Sequence, residues 1–289
     1  MKLNFTKMEG LGNDYVYVNC FKETIENPSE LARRVSNRHF GIGSDGLILI
    51  KPSEIADFTM EMYNADGTQS EMCGNGIRCV GKYVYDYGLT DKKEVAIETL
   101  AGVKYLKFTI EKTPENERGT VRLVEVNMGS PILEPKQVPV LIPGTEDLDK
   151  ICDYPFVVDE KEYHITCVSM GNPHCISFVE DVEHFPLEIV GPKFESHDIF
   201  PNRVNAEFVE IVSPTYAKMR VWERGTGETL ACGTGTCATV VASILNGLTE
   251  DTVTVKLLGG ELIIRWDREE NIVYMTGPAT VVFDGCIEV

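Results

Sequence analysis

Two cysteines stand where residue type and spacing could do chemistry. Met72-Cys73-Gly74-Asn75-Gly76-Ile77-Arg78-Cys79 and Ala231-Cys232-Gly233-Thr234-Gly235-Thr236-Cys237 each set a cysteine directly before Gly-x-Gly, and an apolar helical run follows both. A cysteine at a loop-to-helix junction lies beside free backbone N–H groups, which favour anions and lower a thiol pKa from its reference of about 8.5. The glycines let a carboxylate approach that backbone closely. Two such thiols on opposite sides of one carbon suit a specific reaction. One, as thiolate, removes a proton α to a carboxylate. The other, as thiol, returns a proton to the opposite face, and configuration inverts. Helix-start N–H groups stabilise the dianion that develops, and exclusion of water strengthens them.

The two segments are copies of one another. Cys232 lies 159 residues after Cys73, and the same offset carries Gly12-Asn13 onto Gly171-Asn172, Gly46 onto Asn205, Tyr63-Asn64 onto Trp222-Glu223 and Gly88 onto Gly247. It holds without a gap from residue 12 to residue 88. So long a period excludes a solenoid and points to a duplicated domain. A lone Cys before Gly-x-Gly is ordinarily a small buried residue. Retention in both copies assigns Cys73 and Cys232 a shared role. Cys20, Cys79, Cys152, Cys167, Cys175, Cys237 and Cys286 read as packing. A dinucleotide fingerprint is excluded in the first copy because Cys79 stands where its third glycine belongs.

Asn13 and Asn172 sit on turn-rich loops sixty residues before their cysteines. His174, beside a thiol, would tune or shuttle a proton. Glu223-Arg224 lies on the loop leading to Cys232, and Arg224 is suited to clamp a second carboxylate bidentately.

Hydrophobic periodicity predicts helices over 29–37, 77–87 and 236–245, among many short strands. The last helix is apolar or small on nearly every face, so it should be buried all round. The expected fold class is α/β (α+β). It has two pseudo-symmetric domains, each a β-barrel-like set of strands wrapped around a central helix. The halves are placed at 1–130, with 278–289 returning to it, and at 131–277. Residues 129–149, rich in Pro, Gly and acidic residues, read as a linker. If the symmetry axis passes between the domains, Cys73 and Cys232 would face each other across a cleft.

The chain has 289 residues, 43% of them hydrophobic, enough for more than one core. Its net charge of −18 argues against nucleic acid and anionic membranes as partners. Nine cysteines without an export signal argue against a disulfide framework, and their spacings lack zinc-ligand logic. The N-terminus carries no signal-peptide pattern, so the expected location is cytoplasmic.

These motifs resemble the diaminopimelate epimerase family. The resemblance is carried by Gly10-Leu11-Gly12-Asn13-Asp14, Gly41-Ile42-Gly43-Ser44-Asp45-Gly46, Tyr63-Asn64-Ala65-Asp66-Gly67, both Cys-Gly-x-Gly segments, Met170-Gly171-Asn172-Pro173-His174, Asn202-Arg203-Val204-Asn205 and Trp222-Glu223-Arg224-Gly225. It implies an isomerase that interconverts LL- and meso-diaminopimelate for lysine and cell-wall precursor synthesis, without pyridoxal phosphate or metal, in a homodimer. It implies Cys73 and Cys232 as the acid/base pair, with His174 and Glu223 supporting them. Asn13, Asn64, Asn172, Asn205, Glu223 and Arg224 would hold the substrate. Gly74-Asn75 and Gly233-Thr234 would supply backbone donors to the reacting carboxylate. Many members carry Gln where this chain has Gly46, so water or a neighbour must replace that contact.

Two other readings bear on the same residues. Proline and hydroxyproline racemases resemble the chain in fold and in the Cys-Gly pairs. They favour His after the first Cys-Gly, where Asn75 stands, and lack an equivalent of Glu223-Arg224. A non-catalytic thiol sensor would pair Cys73 with Cys232 in a reversible disulfide.

Overall fold

The structure, a computed structural model, describes residues 2–145 and 147–288. The chain divides into two compact units, Met1–Asn127 with Thr276–Val289, and Met128–Met275. The first runs β1 (Lys2–Gly10), β2 (Asn13–Asn19), α1 (Pro28–Ser36), β3 (Gly46–Lys51), β4 (Phe58–Asn64), β5 (Gln69–Ser70), α2 (Gly74–Asp86), β6 (Glu94–Thr99), β7 (Gly102–Thr113) and β8 (Asn116–Gly129). The second runs β9 (Tyr154–Val158), β10 (Lys161–Ser169), β11 (Pro173–Phe178), α3 (Leu187–Glu195), β12 (Asn205–Ser213), β13 (Tyr216–Glu223), β14 (Gly227–Glu228), α4 (Gly233–Leu245), β15 (Thr252–Leu257), β16 (Gly260–Asp267) and β17 (Ile272–Gly277). A last strand, β18 (Thr280–Glu288), pairs antiparallel with β1.

Strand pairing repeats between the units. In the first, β1–β2, β3–β4 and β6–β7 are antiparallel, while β2–β3 and β4–β6 are parallel. In the second, β10–β11, β12–β13 and β15–β16 are antiparallel, while β11–β12 and β13–β15 are parallel. Parallel neighbours require a crossover, and the four helices supply them. The offset of 159 carries β1 onto β10, α1 onto α3 and α2 onto α4 with both ends coincident.

The central strands bury both faces, β2 and β3 in the first unit and β10, β11 and β12 over most of their length in the second. In the first unit, α1 packs on β2, β3 and β4, over Leu3, Val16, Val18, Leu47 and Leu49. On the other face α2 packs against β1, β2 and β7. All of α2 but Lys82 and Asp86 is buried, and those two form an ion pair at 2.7 Å. In the second unit, α3 covers one face and α4 packs against β10, β11, β12, β15 and β16. All of α4 but Thr234 and Leu245 is buried, as its apolar circumference requires.

Three elements depart from the sequence reading. Both central helices begin three residues earlier than their apolar periodicity, at Gly74 and Gly233, because glycine's low helix propensity hides the first turn. Helix α3 has no counterpart in that reading, since Gly191 and Pro192 interrupt it. Gly191 is needed there: a Cβ would come within 2.6 Å of the Trp222 ring. The expected linker is packed against the second unit. Val138 and Val140 are buried in its core, and Ile132 bridges Ser169. Its Pro and acidic content masked alternate apolar positions. Among the described residues no helix is long and apolar enough to cross a membrane.

Candidate active site

The first half-site begins at the β1–β2 turn. Leu11 and Gly12 both take positive φ, 57° and 84°, as a two-residue hairpin turn of the primed type requires. The turn delivers Asn13 to the head of β2. Its Oδ1 accepts from the Cys73 thiol at 3.0 Å, and its Nδ2 donates to Asp45 at 2.8 Å. Arg38 Nη2 holds Asp14 and Asp45 together, 2.9 Å from each, and Lys7 pairs with Asp14. Burial raises the Asp14 carboxyl, but Arg38 and Lys7 outweigh it and hold the group below the ordinary carboxylate range. Asp45 thus fixes the Asn13 amide with its oxygen toward sulfur.

Cys73 is the N-cap of α2 and its sulfur accepts from Gly76 N–H at 3.3 Å. Burial pushes the thiol up. The N–H groups of Gly76 and Asn75, the Tyr15 hydroxyl and the Arg78 charge act in the opposite direction. Arg78 is fully buried, donating to Asn75 Oδ1 at 2.9 Å and to Pro278 O at 3.0 Å. Asn64 closes β4 and donates to Thr68 Oγ1 at 3.0 Å. Gly46 pairs with Tyr15 on one side and Asn64 on the other. A Cβ there would lie 2.1 Å from Tyr63 O and 2.9 Å from the Tyr15 ring, so no side chain fits this backbone. Tyr15 is the neighbour that occupies the space.

The second half-site repeats the frame with different side chains. Gly171, at φ 98°, turns β10 into the loop carrying Asn172. Asn172 Oδ1 lies 3.0 Å from His174 Nε2, and His174 Nδ1 lies 2.7 Å from Glu207 Oε1. Asn205 Nδ2 donates to Pro173 O at 2.9 Å, and its Oδ1 accepts from Arg224 N–H at 2.9 Å. The exposed Arg224 guanidinium is steadied by Asn202 O at 3.0 Å. Glu223 accepts from the Thr229 hydroxyl. Cys232 is the N-cap of α4, buried, with its sulfur 3.7 Å from Thr234 Oγ1. Burial pushes this thiol well above the usual range, the charges of Glu223 and Glu207 push it further, and the Gly235 N–H and Thr234 hydroxyl act in the opposite direction. Among the described residues no three His, Cys, Asp or Glu side chains are placed to hold a metal ion.

The structure thus gathers Asn13, Cys73, Gly74 and Asn75 in one unit. It gathers Asn172, His174, Asn205, Glu223, Arg224, Cys232, Gly233 and Thr234 in the other. Two residues escape the sequence reading. Tyr15 is the equivalent of His174 under the 159-residue offset, but a phenol in place of an imidazole gives no sign of a thiol partner. Glu207 is the equivalent of Ile48: a charge where the first copy has an apolar side chain.

The chain matches the family described as Diaminopimelate epimerase over residues 5–134 and 166–282. Diaminopimelate epimerase of Acetivibrio thermocellus is 59% identical over 286 residues, covering 99% of each chain. That of Methanococcus maripaludis is 55% identical over 287 residues, covering 99% of this chain and 100% of its own. Among solved structures, a phenazine biosynthesis protein of the PhzF family from Bacillus anthracis superposes with a TM-score of 0.70 at 16% identity, covering 100% of each chain. A hydroxyproline epimerase from Agrobacterium vitis gives 0.66 at 13% identity, covering 99% of this chain and 91% of its own. At those identities the likeness is one of fold. The sequence match spans nearly the whole chain, including both Cys-Gly-x-Gly segments, and on it the chain belongs to the diaminopimelate epimerase family.

Proposed function

We propose that this chain epimerises diaminopimelate at one α-carbon, converting the LL form to the meso form and back, with Cys73 and Cys232 as the acid/base pair. The reading rests on one observation: each thiol is the N-cap of an equivalent, buried, 13-residue helix. One thiolate takes the α-hydrogen as a proton and becomes a thiol. The electron pair passes into the carboxylate, and the first N–H groups of a helix, at Gly74-Asn75 or Gly233-Thr234, receive the charge. The other thiol gives its proton to the opposite face and becomes the thiolate. The reverse reaction exchanges the roles.

Asn13, Asn64, Asn172, Asn205 and Arg224 hold the substrate, with Arg224 on its distant carboxylate. Arg224→Ala is expected to raise KM by about ten- to a hundredfold, as loss of a charged hydrogen-bonding pair implies. An unchanged KM in steady-state kinetics would remove Arg224 from the site. The enzyme works in lysine and cell-wall precursor synthesis, in the cytoplasm and as a homodimer. Sedimentation tests the last point, and a monomer at assay concentration would refute it.

The central test is isotope exchange. Incubated in deuterium oxide, the enzyme should place deuterium at the α-carbon of diaminopimelate and none in L-proline. The opposite pattern would sink the assignment.

A further inference from the structure

The geometry points to Glu207 as a positioning residue of this reaction: its buried carboxylate holds the proton on Cys232, so that the thiolate forms at Cys73 in preference. The inference rests on the epimerase reading above and adds to it a residue and a starting state.

Glu207 lies on β12 and is 0% exposed. Its Oε1 lies 2.7 Å from His174 Nδ1, while Oε2 has no hydrogen-bond partner among the described residues. A carboxylate so placed is costly to bury, and a purely structural position would favour an apolar side chain. The repeat shows that such a side chain fits. The equivalent residue is Ile48, whose Cδ1 lies 2.8 Å from a Cβ added to Gly76. A Cβ added to Gly235, the equivalent of Gly76, would lie 2.5 Å from Glu207 Oε1 and 3.2 Å from Cys232 Sγ. The two units therefore put a methyl group and a carboxylate in the same place beneath the same cap. Carboxylate and sulfur flank one glycine, within the range of about 4–6 Å over which a like charge opposes ionisation.

The contrast extends to the other buried charges. Cys73 has the Arg78 guanidinium near it, four residues into its own helix. The equivalent of Arg78 is Cys237, which brings no guanidinium. Cys232 faces Glu207 from β12 and Glu223 from β13. Burial raises the Glu207 carboxyl, the His174 ring on β11 acts in the opposite direction, and Cys175, Glu223 and Cys232 also face it. One frame of helix, cap and asparagine thus carries positive charge beside one sulfur and negative charge beside the other. His174, held between Asn172 and Glu207, anchors the carboxylate against Gly235. A cycle that begins with Cys73 ionised ends with Cys73 protonated and Cys232 ionised. The charge of Glu207 favours the proton's return.

The test is the rate of alkylation of each thiol by iodoacetamide across a pH series, read by peptide mass spectrometry on the full chain. In the unaltered protein Cys73 should alkylate at lower pH than Cys232. Glu207→Gln keeps the shape and removes the charge. It should move the Cys232 curve to lower pH, raising its rate at fixed pH by about tenfold for each pKa unit, and leave the Cys73 curve in place. Turnover should fall with KM little changed, and Glu207→Asp should restore the alkylation order. Glu207→Ile, the residue its counterpart carries, is the second variant should the amide prove unstable. Cys232 curves unmoved in a variant with native melting temperature would overturn the proposal. So would Cys232 alkylating at or below the pH of Cys73 in the unaltered protein. These curves need no substrate. Failure of α-deuteration by the unaltered enzyme therefore sinks the epimerase reading separately from the role of Glu207.

Discussion

Cys73→Ala and Cys232→Ala are each expected to abolish epimerisation, with turnover falling on the order of a thousandfold or more. A positioned acid or base contributes about 10²–10⁴-fold, and this reaction needs one of each. Neither loss can be covered by the other thiol, since a single thiol serves a single face of the carbon. The fold should survive both changes. Alanine at 73 removes the cap bond from Gly76 N–H, a change worth about 1 kcal/mol. Cys232 makes no cap bond, so its variant should lose less stability. Rates on diaminopimelate and melting curves of both variants check this together. Turnover within tenfold of the unaltered enzyme in either variant would rule out the two-thiol mechanism.

Phe208→Ala is expected to destabilise the second unit by about 3–5 kcal/mol, the range for emptying a buried aromatic site. Phe208 is 0% exposed and stacks on Phe185 with ring centroids 4.2 Å apart. It meets Phe194 edge-on at 5.1 Å, and Phe194 in turn meets Phe156 and Tyr163 at 5.1 and 5.2 Å. The cluster lies on the α3 face of β12, so its neighbours are held by helix and sheet and cannot collapse freely into the void. Phe208 directly follows Glu207, whose side chain points to the α4 face. Loosening this strand therefore disturbs the proposed acid/base site as well as the core. Urea unfolding should show a lower midpoint at unchanged slope. A midpoint shifted by less than the equivalent of about 1 kcal/mol would mean that the cavity refills.

Much of this was legible in the sequence because the chain is written twice. The repeat located both caps, both asparagine loops and the central helices. What it could not show was substitution within the repeat. Helix α3 is hidden by Gly191 and Pro192, yet its bounds are those of α1 carried forward by 159 residues. Tyr15 stands where the second copy has His174, and a phenol does not announce itself as a partner of a thiol. Glu207 reads as an ordinary charge in a strand until the sheet is seen to be buried on both faces. Packing on both faces is a tertiary fact, and no local pattern in Asn205-Ala206-Glu207-Phe208 declares it.

The pairing of β18 with β1 has a consequence for synthesis. Lys2 to Glu9 is matched residue by residue with Thr280 to Glu288, apart from one irregularity beside Lys7. During translation the first unit therefore waits, one sheet edge open, until the whole second unit has left the ribosome. The second unit is continuous in the chain and can close as soon as its own residues emerge. The half that is made first is finished last, and an exposed β1 edge is the species a chaperone would meet on the nascent chain.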